Sequence, residues 1–254
     1  MSKEVLENKN EYKSRYSHYE NLINSKTNEE KNRVIRRLRS VVIEYLNFRE
    51  SIASIEHPDS SQDNSRIEEI YKQINSLFDE KHKVYLFETI HPEDKKYVRD
   101  EIIDNHAIKI GIRELPILLN PWSGQRIVDN LLNINEDNIF DGERYSYNVR
   151  NNYLYPMDIV VCNGGNHSQF SARYKNQGKT VIKEIHDYSE LYSKVEFDGE
   201  NYIYRDNRKM IRLNSDYSKE IIFYSGILFE LGRYALSDKQ YSLDELKKIL
   251  SNRE

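Results

Sequence analysis

The chain of 254 residues is 38% hydrophobic and 31% charged, and its 20 Tyr and 8 Phe supply the bulk that closes a core, so composition excludes an intrinsically disordered polypeptide. A formal net charge of −4 excludes a protein that coats nucleic acid through a globally basic surface, leaving only a local basic patch for any such contact. The lone cysteine, Cys162, excludes an internal disulfide framework; with no apolar signal core after Met1 and no segment long enough to span a bilayer, a cytoplasmic protein with no membrane partner is expected.

Residues 3 to 56 read as helix, interrupted near Ser25 to Asn28, where Thr27 and Glu30 stand at capping-box spacing. In the second helix Val34, Leu38, Val41, Val42, Tyr45 and Leu46 recur at intervals of three and four, giving one apolar stripe. Lys31, Arg33, Arg36, Arg37 and Arg39 crowd its first half, the pattern of a solvated or locally paired face, with phosphate contact as the alternative. The polar run His57 to Ser65 predicts a mobile loop. A helix follows from Arg66 to about Phe78, with Ile67, Ile70, Tyr71, Ile74 and Phe78 on one face, and Pro92-Glu93-Asp94 opens another through about Asn105. Residues 1–106 therefore form a helical region, packed as one unit with an α/β core in 107–254.

The pattern changes at Ala107. Ile108, Ile110 and Ile112 alternate with polar residues, and Leu115 to Leu119 continues as an extended apolar run. Asn120-Pro121-Trp122-Ser123-Gly124 breaks the chain before a helix from Gln125 to about Asn133, and a polar stretch leads to a strand from Met157 to Cys162. A helix starts near His167 and stops at Asn176-Gln177-Gly178; Thr180 to Ile185 reads as one strand, and Tyr202 to Tyr204 with Met210 to Leu213 as a hairpin. Helices close the chain, from Ser218 to about Ala235 and from a cap at Ser242. The fold class is α+β: a helical N-terminal region on a small mixed sheet, with a helical C-terminus.

Chemistry concentrates where the β-branched run Ile159-Val160-Val161 ends at Gly164-Gly165 and Asn166-His167-Ser168 begins a helix. Glycine lets backbone approach a ligand, and the unpaired amides of a first helical turn favour phosphate or carboxylate. Gly164, Gly165 and Asn166 are the candidate ligand-binding residues. His167 can donate a hydrogen bond, act as general base or ligate a metal, and Ser168 can donate to phosphate or meet Mg²⁺; these two are the candidate catalytic residues. The plainer reading is a tight turn with Asn166 or Ser168 as a helix cap. Cys162, at the end of an apolar strand, reads as a buried structural thiol.

The order Leu119-Asn120-Pro121-Trp122-Ser123-Gly124-Gln125-Arg126 followed some forty residues later by Gly-Gly-Asn-His-Ser resembles the ParB/sulfiredoxin superfamily, over about residues 108–197. The chain is also similar to an uncharacterised bacterial family of unknown function that shares the Gly-Gly-Asn-His-Ser core. The superfamily resemblance implies a small mixed α/β fold that binds a nucleoside triphosphate with Mg²⁺, or another phosphorylated small molecule, and that in some members hydrolyses or transfers phosphate. Carried over by position, Gly165, Asn166, His167 and Ser168 would line the phosphates, and Arg126 would add a positive clamp. This chain departs from the pattern at Ser168, where the family box usually ends in Arg; Arg173, or Lys175 or Lys179, is the candidate substitute for the missing charge.

Two other functions fit the same sequence. A non-enzymatic regulator of bacterial or phage origin would hold a protein partner through the N-terminal helices, and its mark would be an exposed apolar or aromatic patch there. A metal-dependent DNA nuclease would use Glu184, His186 and Asp187, with Asp158, as ligands, although strand alternation puts Glu184 and His186 on one face and Asp187 on the other. Trp122 and the many tyrosines could stack on bases, but tyrosines spread through every segment read as packing residues.

Overall fold

The capping box at Thr27 forms as its spacing predicts. Its hydroxyl accepts from the Glu30 amide at 3.4 Å, the Glu30 carboxylate accepts from the Thr27 amide at 3.1 Å, and the chain turns from α1 (Lys3–Asn24) into α2 (Asn28–Glu56). The structure, a computed structural model, describes residues 3–57, 64, 66–78, 83–86, 101–102, 107–214 and 216–237. Most of the expected loop at 57–65, most of the expected helix at 92–105 and the expected terminal helix from Ser242 lie outside those residues.

α3 (Arg66–Ser76) completes the N-terminal helices. The strands are β1 (Lys83–Leu86), β2 (Glu101–Ile102), β3 (Ile108–Gly111), β4 (Ile117–Leu118), β5 (Arg150–Tyr155), β6 (Ile159–Gly164), β7 (Lys179–Ile182), β8 (Glu184–Asp187), β9 (Val195–Phe197) and β10 (Tyr202–Tyr204). Between them lie α4 (Gly124–Asn133) and α5 (Asn166–Lys175), and α6 (Lys219–Ser237) follows β10. The main sheet runs β2-β1-β8-β5-β6-β4 and mixes parallel pairs (β5 with β8, β4 with β6) with antiparallel ones (β5 with β6, β1 with β8). The fold is α+β with helical N- and C-terminal regions, as the pattern predicts.

Strand alternation explains the layering. Ile159 and Val161 of β6 and Leu154 of β5 enter a core shared with α2, α3, α6 and the β9–β10 hairpin. Val160 and Cys162 of β6 and Tyr153 of β5 enter a second core, with Ile127 of α4, Phe170 and Ala172 of α5, and the β3–β7 ribbon. One edge of the sheet is closed by a side chain: Asn47 of α2 donates to the Ile117 carbonyl and accepts from the Leu119 amide, both at 2.8 Å, doing for β4 what a neighbouring strand would do.

Several local expectations change. Glu101 and Ile102, read as helix, pair in parallel with β1, and Lys83–Leu86, read as no element, pairs with β8. β5 lies centrally in the sheet although Asn151-Asn152 argued for a polar connection; Asn151 is fully buried in side-chain hydrogen bonds that replace solvent. The expected strand Thr180 to Ile185 is two strands, β7 and β8, split at Lys183 and assigned to different sheets. The partner of β10 is β9 and not Met210 to Leu213, which contributes only an isolated bridge from Met210 to Ile203.

Candidate functional site

The turn between β6 and α5 is built from two adjacent glycines with different constraints. A Cβ on Gly164 would lie 2.5 Å from the Asn148 carbonyl oxygen, so only hydrogen fits there. Gly165 sits at φ +80°, ψ 21°, a left-handed conformation that costs other residues roughly 1–2 kcal/mol, and it begins α5 with no side-chain cap. The amides of the first helical turn therefore lack both intrahelical acceptors and a capping side chain.

Asn166 and His167 face the loop before α4. The Asn120 amide donates to Asn166 Oδ1 at 2.7 Å, and the Ser123 amide donates to His167 Nε2 at 3.1 Å. Ser123 in turn caps α4, accepting from the Arg126 amide at 3.4 Å. The two sequence elements that stood some forty residues apart are thus interlocked by their own polar groups. Ser168 Oγ donates to Asn130 Oδ1 of α4 at 2.9 Å, which adds a third tie.

These contacts define the state of His167. An imidazole nitrogen that accepts a backbone N–H is unprotonated, so the proton sits on Nδ1. Burial, with the nearby Arg126 charge, lowers the pKa to about 4, and the ring is neutral at physiological pH. With the Nε2 lone pair occupied, His167 fits the role of general base poorly; its geometry is that of a loop anchor. Trp122 meets the imidazole edge-on at 5.2 Å between centroids, and the Arg126 guanidinium lies 5.0 Å from the Trp122 ring centroid. Arg126 is therefore brought to the turn.

Arg173 is not. It is buried two turns further along α5, 2.6 Å from the Glu44 carboxylate, and donates to the carbonyls of Ile112 and Leu115 at 2.6 and 2.9 Å. A guanidinium so engaged ties α2 to the β3–β4 connection and leaves no fork for an anion. Lys175 donates to the Ile134 carbonyl, and Lys179 lines a separate, open cavity of about 580 Å³ beside Lys109 and Asp141.

Gly165 and Ser168 line a smaller cavity of about 180 Å³ between α4 and the 138–149 segment. Asn130, Asn133, Asn138 and Asn148 also face it, and sequence reasoning singled out none of them. It missed Gln169 as well, whose buried amide donates to Asn151, Cys162 Sγ and the Gly164 carbonyl, and so braces the turn from below. The only available signal was a polar residue directly after the Gly-Gly-Asn-His-Ser box. Cys162 is buried, and desolvation pushes its thiol pKa up to about 12, the inert structural state expected of it.

The nuclease candidates are dispersed. Glu184 and His186 share a face and touch at 2.8 Å, but His186 Nδ1 is turned to Glu68 at 2.7 Å. Asp158 pairs with Arg39 at 2.5 Å, and Asp187 accepts from the Ser189 amide. Among the described residues no group of three or more His, Cys, Asp or Glu could hold a metal ion.

The chain belongs to a family of unknown function (DUF6710). The match covers residues 1–242, a span that includes the N-terminal helices, the sheet and α6 of this chain. No curated protein and no solved structure matches the chain. No helix among the described residues is long and apolar enough to cross a membrane.

Proposed function

We propose that the protein binds a small anionic or monophosphate-sized group at the first turn of α5. The observation that carries this reading is the cavity of about 180 Å³ lined by Gly165 and Ser168, at a helix N-terminus that no side chain caps. Uncapped amides and the helix dipole supply attraction, Gly165 supplies close approach, and the side-chain amides of Asn133 and Asn148 can donate hydrogen bonds, those of Asn130 and Asn138 being spent on the Arg126 and Asn133 carbonyls.

The residues at the turn do not fit a whole nucleoside triphosphate with Mg²⁺. Ligand pockets of drug-like size run from about 300 Å³ upward. Three phosphates also call for several cations, whereas Arg173 is committed to Glu44 and Lys175 to a backbone carbonyl. No phosphoryl-transfer step is assigned, because neither His167 nor Ser168 is placed as an activated base or nucleophile.

A thermal-shift series with inorganic phosphate, pyrophosphate, ATP and CTP, each with and without Mg²⁺, tests the reading. A ligand at a hundred times its Kd stabilises by about 2.7 kcal/mol. Ser168→Asp places a negative charge in the first turn, where it favours the helix but repels an anion. Phosphate-class stabilisation in the native protein and its loss in Ser168→Asp are expected. No shift with any anion, or a shift undiminished in Ser168→Asp, refutes the site.

A second reading, that the chain is a non-enzymatic interaction protein, is favoured by one specific observation: a row of exposed apolar side chains along α2.

A further inference from the structure

α2 carries two opposed faces. Ile35, Val42, Ile43 and Leu46 are buried in the core, whereas Val41, Tyr45, Phe48, Ile52 and Ile55 are 65, 44, 44, 51 and 49% exposed. Their intervals alternate between four and three residues, so they line up as one stripe, and because Ile35, Val42, Ile43 and Leu46 already occupy the core-facing side this is a second apolar stripe on the same helix. Tyr174 of α5, 62% exposed, meets Phe48 edge-on at 6.4 Å and widens the patch. Solvent-facing apolar residues of this number and order mark an association surface.

Charge indicates the occupant and its direction. On the side of α2 that carries this row, Arg37 precedes it and Glu56 follows it at the helix C-terminus, where the macrodipole is negative; Glu30, in line with the row in the first turn, is already held by the Thr27 amide and hydroxyl. A second α2 laid parallel would set Arg37 against Arg37 of the other copy. Laid antiparallel, it brings Arg37 level with Glu56 of the partner copy, an opposite-charge pair that two-fold symmetry repeats. In that register Val41 meets the partner's Ile52 and Tyr45 meets the partner's Phe48, and two-fold symmetry repeats both layers.

We propose that α2 pairs antiparallel with α2 of a second copy of this chain, through the row from Val41 to Ile55. The proposal rests on the interaction reading above and is independent of the anion site. The flanking charges nearest the axis, Glu44 and Arg49, are already held within each protomer by Arg173 and Glu220, so they add no repulsion.

The full-length chain at tens of micromolar tests this in sedimentation velocity and light scattering. The expected species has twice the monomer mass of 30.4 kDa. Ile52→Lys, at an exposed position that leaves the core intact, returns it to monomer, and Arg37→Glu weakens association roughly tenfold. Direction is read by mixing Val41→Cys with Ile52→Cys proteins and adding a short bifunctional thiol reagent, since native Cys162 is buried and inert. Cross-linking between the two variants supports the proposal; preferential Val41→Cys homodimers show parallel pairing and overturn it, as does a dimer unaffected by Ile52→Lys. A monomeric native protein overturns self-association alone. The wider interaction reading falls separately, if Ile52→Lys leaves apolar-dye binding by the folded monomer at the native level.

Discussion

Glu68→Gln probes how the N-terminal helices are locked to the sheet. Glu68 of α3 is buried, and its carboxylate meets His186 of β8 at 2.7 Å, Lys72 at 3.1 Å and the amide of Asn152 of β5 at 3.5 Å, with a further hydrogen bond to Tyr188. Burial alone would raise the Glu68 pKa, but His186 and Lys72 outweigh it and hold the carboxyl down at about 2. Burial alone would likewise lower His186; its hydrogen bonds to Glu184 and Glu68, and their charges, reverse the direction and raise it above the ordinary 6.5. Removing one partner of a buried ion pair costs about 3–5 kcal/mol. The glutamine amide keeps one hydrogen bond worth about 1 kcal/mol, leaving a net loss of about 2–4 kcal/mol, or roughly 4–16 °C in Tm for a chain of this size.

The same pair sets a pH signature. His186 stabilises the fold fully below about pH 6.5 and progressively less as pH rises through its elevated folded value, whereas the Glu68 contribution is present above about pH 4.5 and disappears only as pH falls toward 2. Urea denaturation followed by circular dichroism from pH 6 to 9 should show the native protein losing stability on the alkaline side. Glu68→Gln, lacking the carboxylate that raises His186, should start lower and be flatter. A variant within about 1 kcal/mol of the native protein at pH 6, or a native curve level to pH 9, refutes the network as described.

Two further outcomes follow from the turn. His167 has a folded pKa near 4 against an ordinary 6.5, so it stabilises above about pH 6.5 and that contribution is lost as pH falls toward 4; imidazole NMR should show it neutral throughout pH 5.5–8, and a midpoint near 6.5 would contradict the Ser123 hydrogen bond. Gly164→Ala forces a Cβ to 2.5 Å from the Asn148 carbonyl and should lower stability by about 1–3 kcal/mol in thermal melts, with an unchanged Tm as the contrary result.

Local rules carried the elements whose signals are local. The Thr27–Glu30 box, the helix over α2, the glycine turn ahead of α5 and the left-handed stop at Asn176 were legible because capping, periodicity and positive φ are properties of a few consecutive residues, whereas the expected single apolar stripe of α2 is split, with Val42 and Leu46 buried and Val41 and Tyr45 exposed. β5 was not legible, because Asn151 and Asn152 are poor strand formers and become tolerable only when Gln169, Thr180 and Glu68 arrive from elsewhere to satisfy their amides.

The candidate site divides the same way. That Gly164 to Ser168 would form a turn at a helix start was written in residue type and order. That Arg173 would point inward to Glu44, that His167 would spend its lone pair on the Ser123 amide, and that α2 would leave Val41 to Ile55 outside while burying the opposite face are outcomes of long-range packing. Sequence states which groups a residue can offer; only the folded chain decides which partner reaches that group first, and a hydrogen bond or charge already satisfied inside the protein is withdrawn from any ligand.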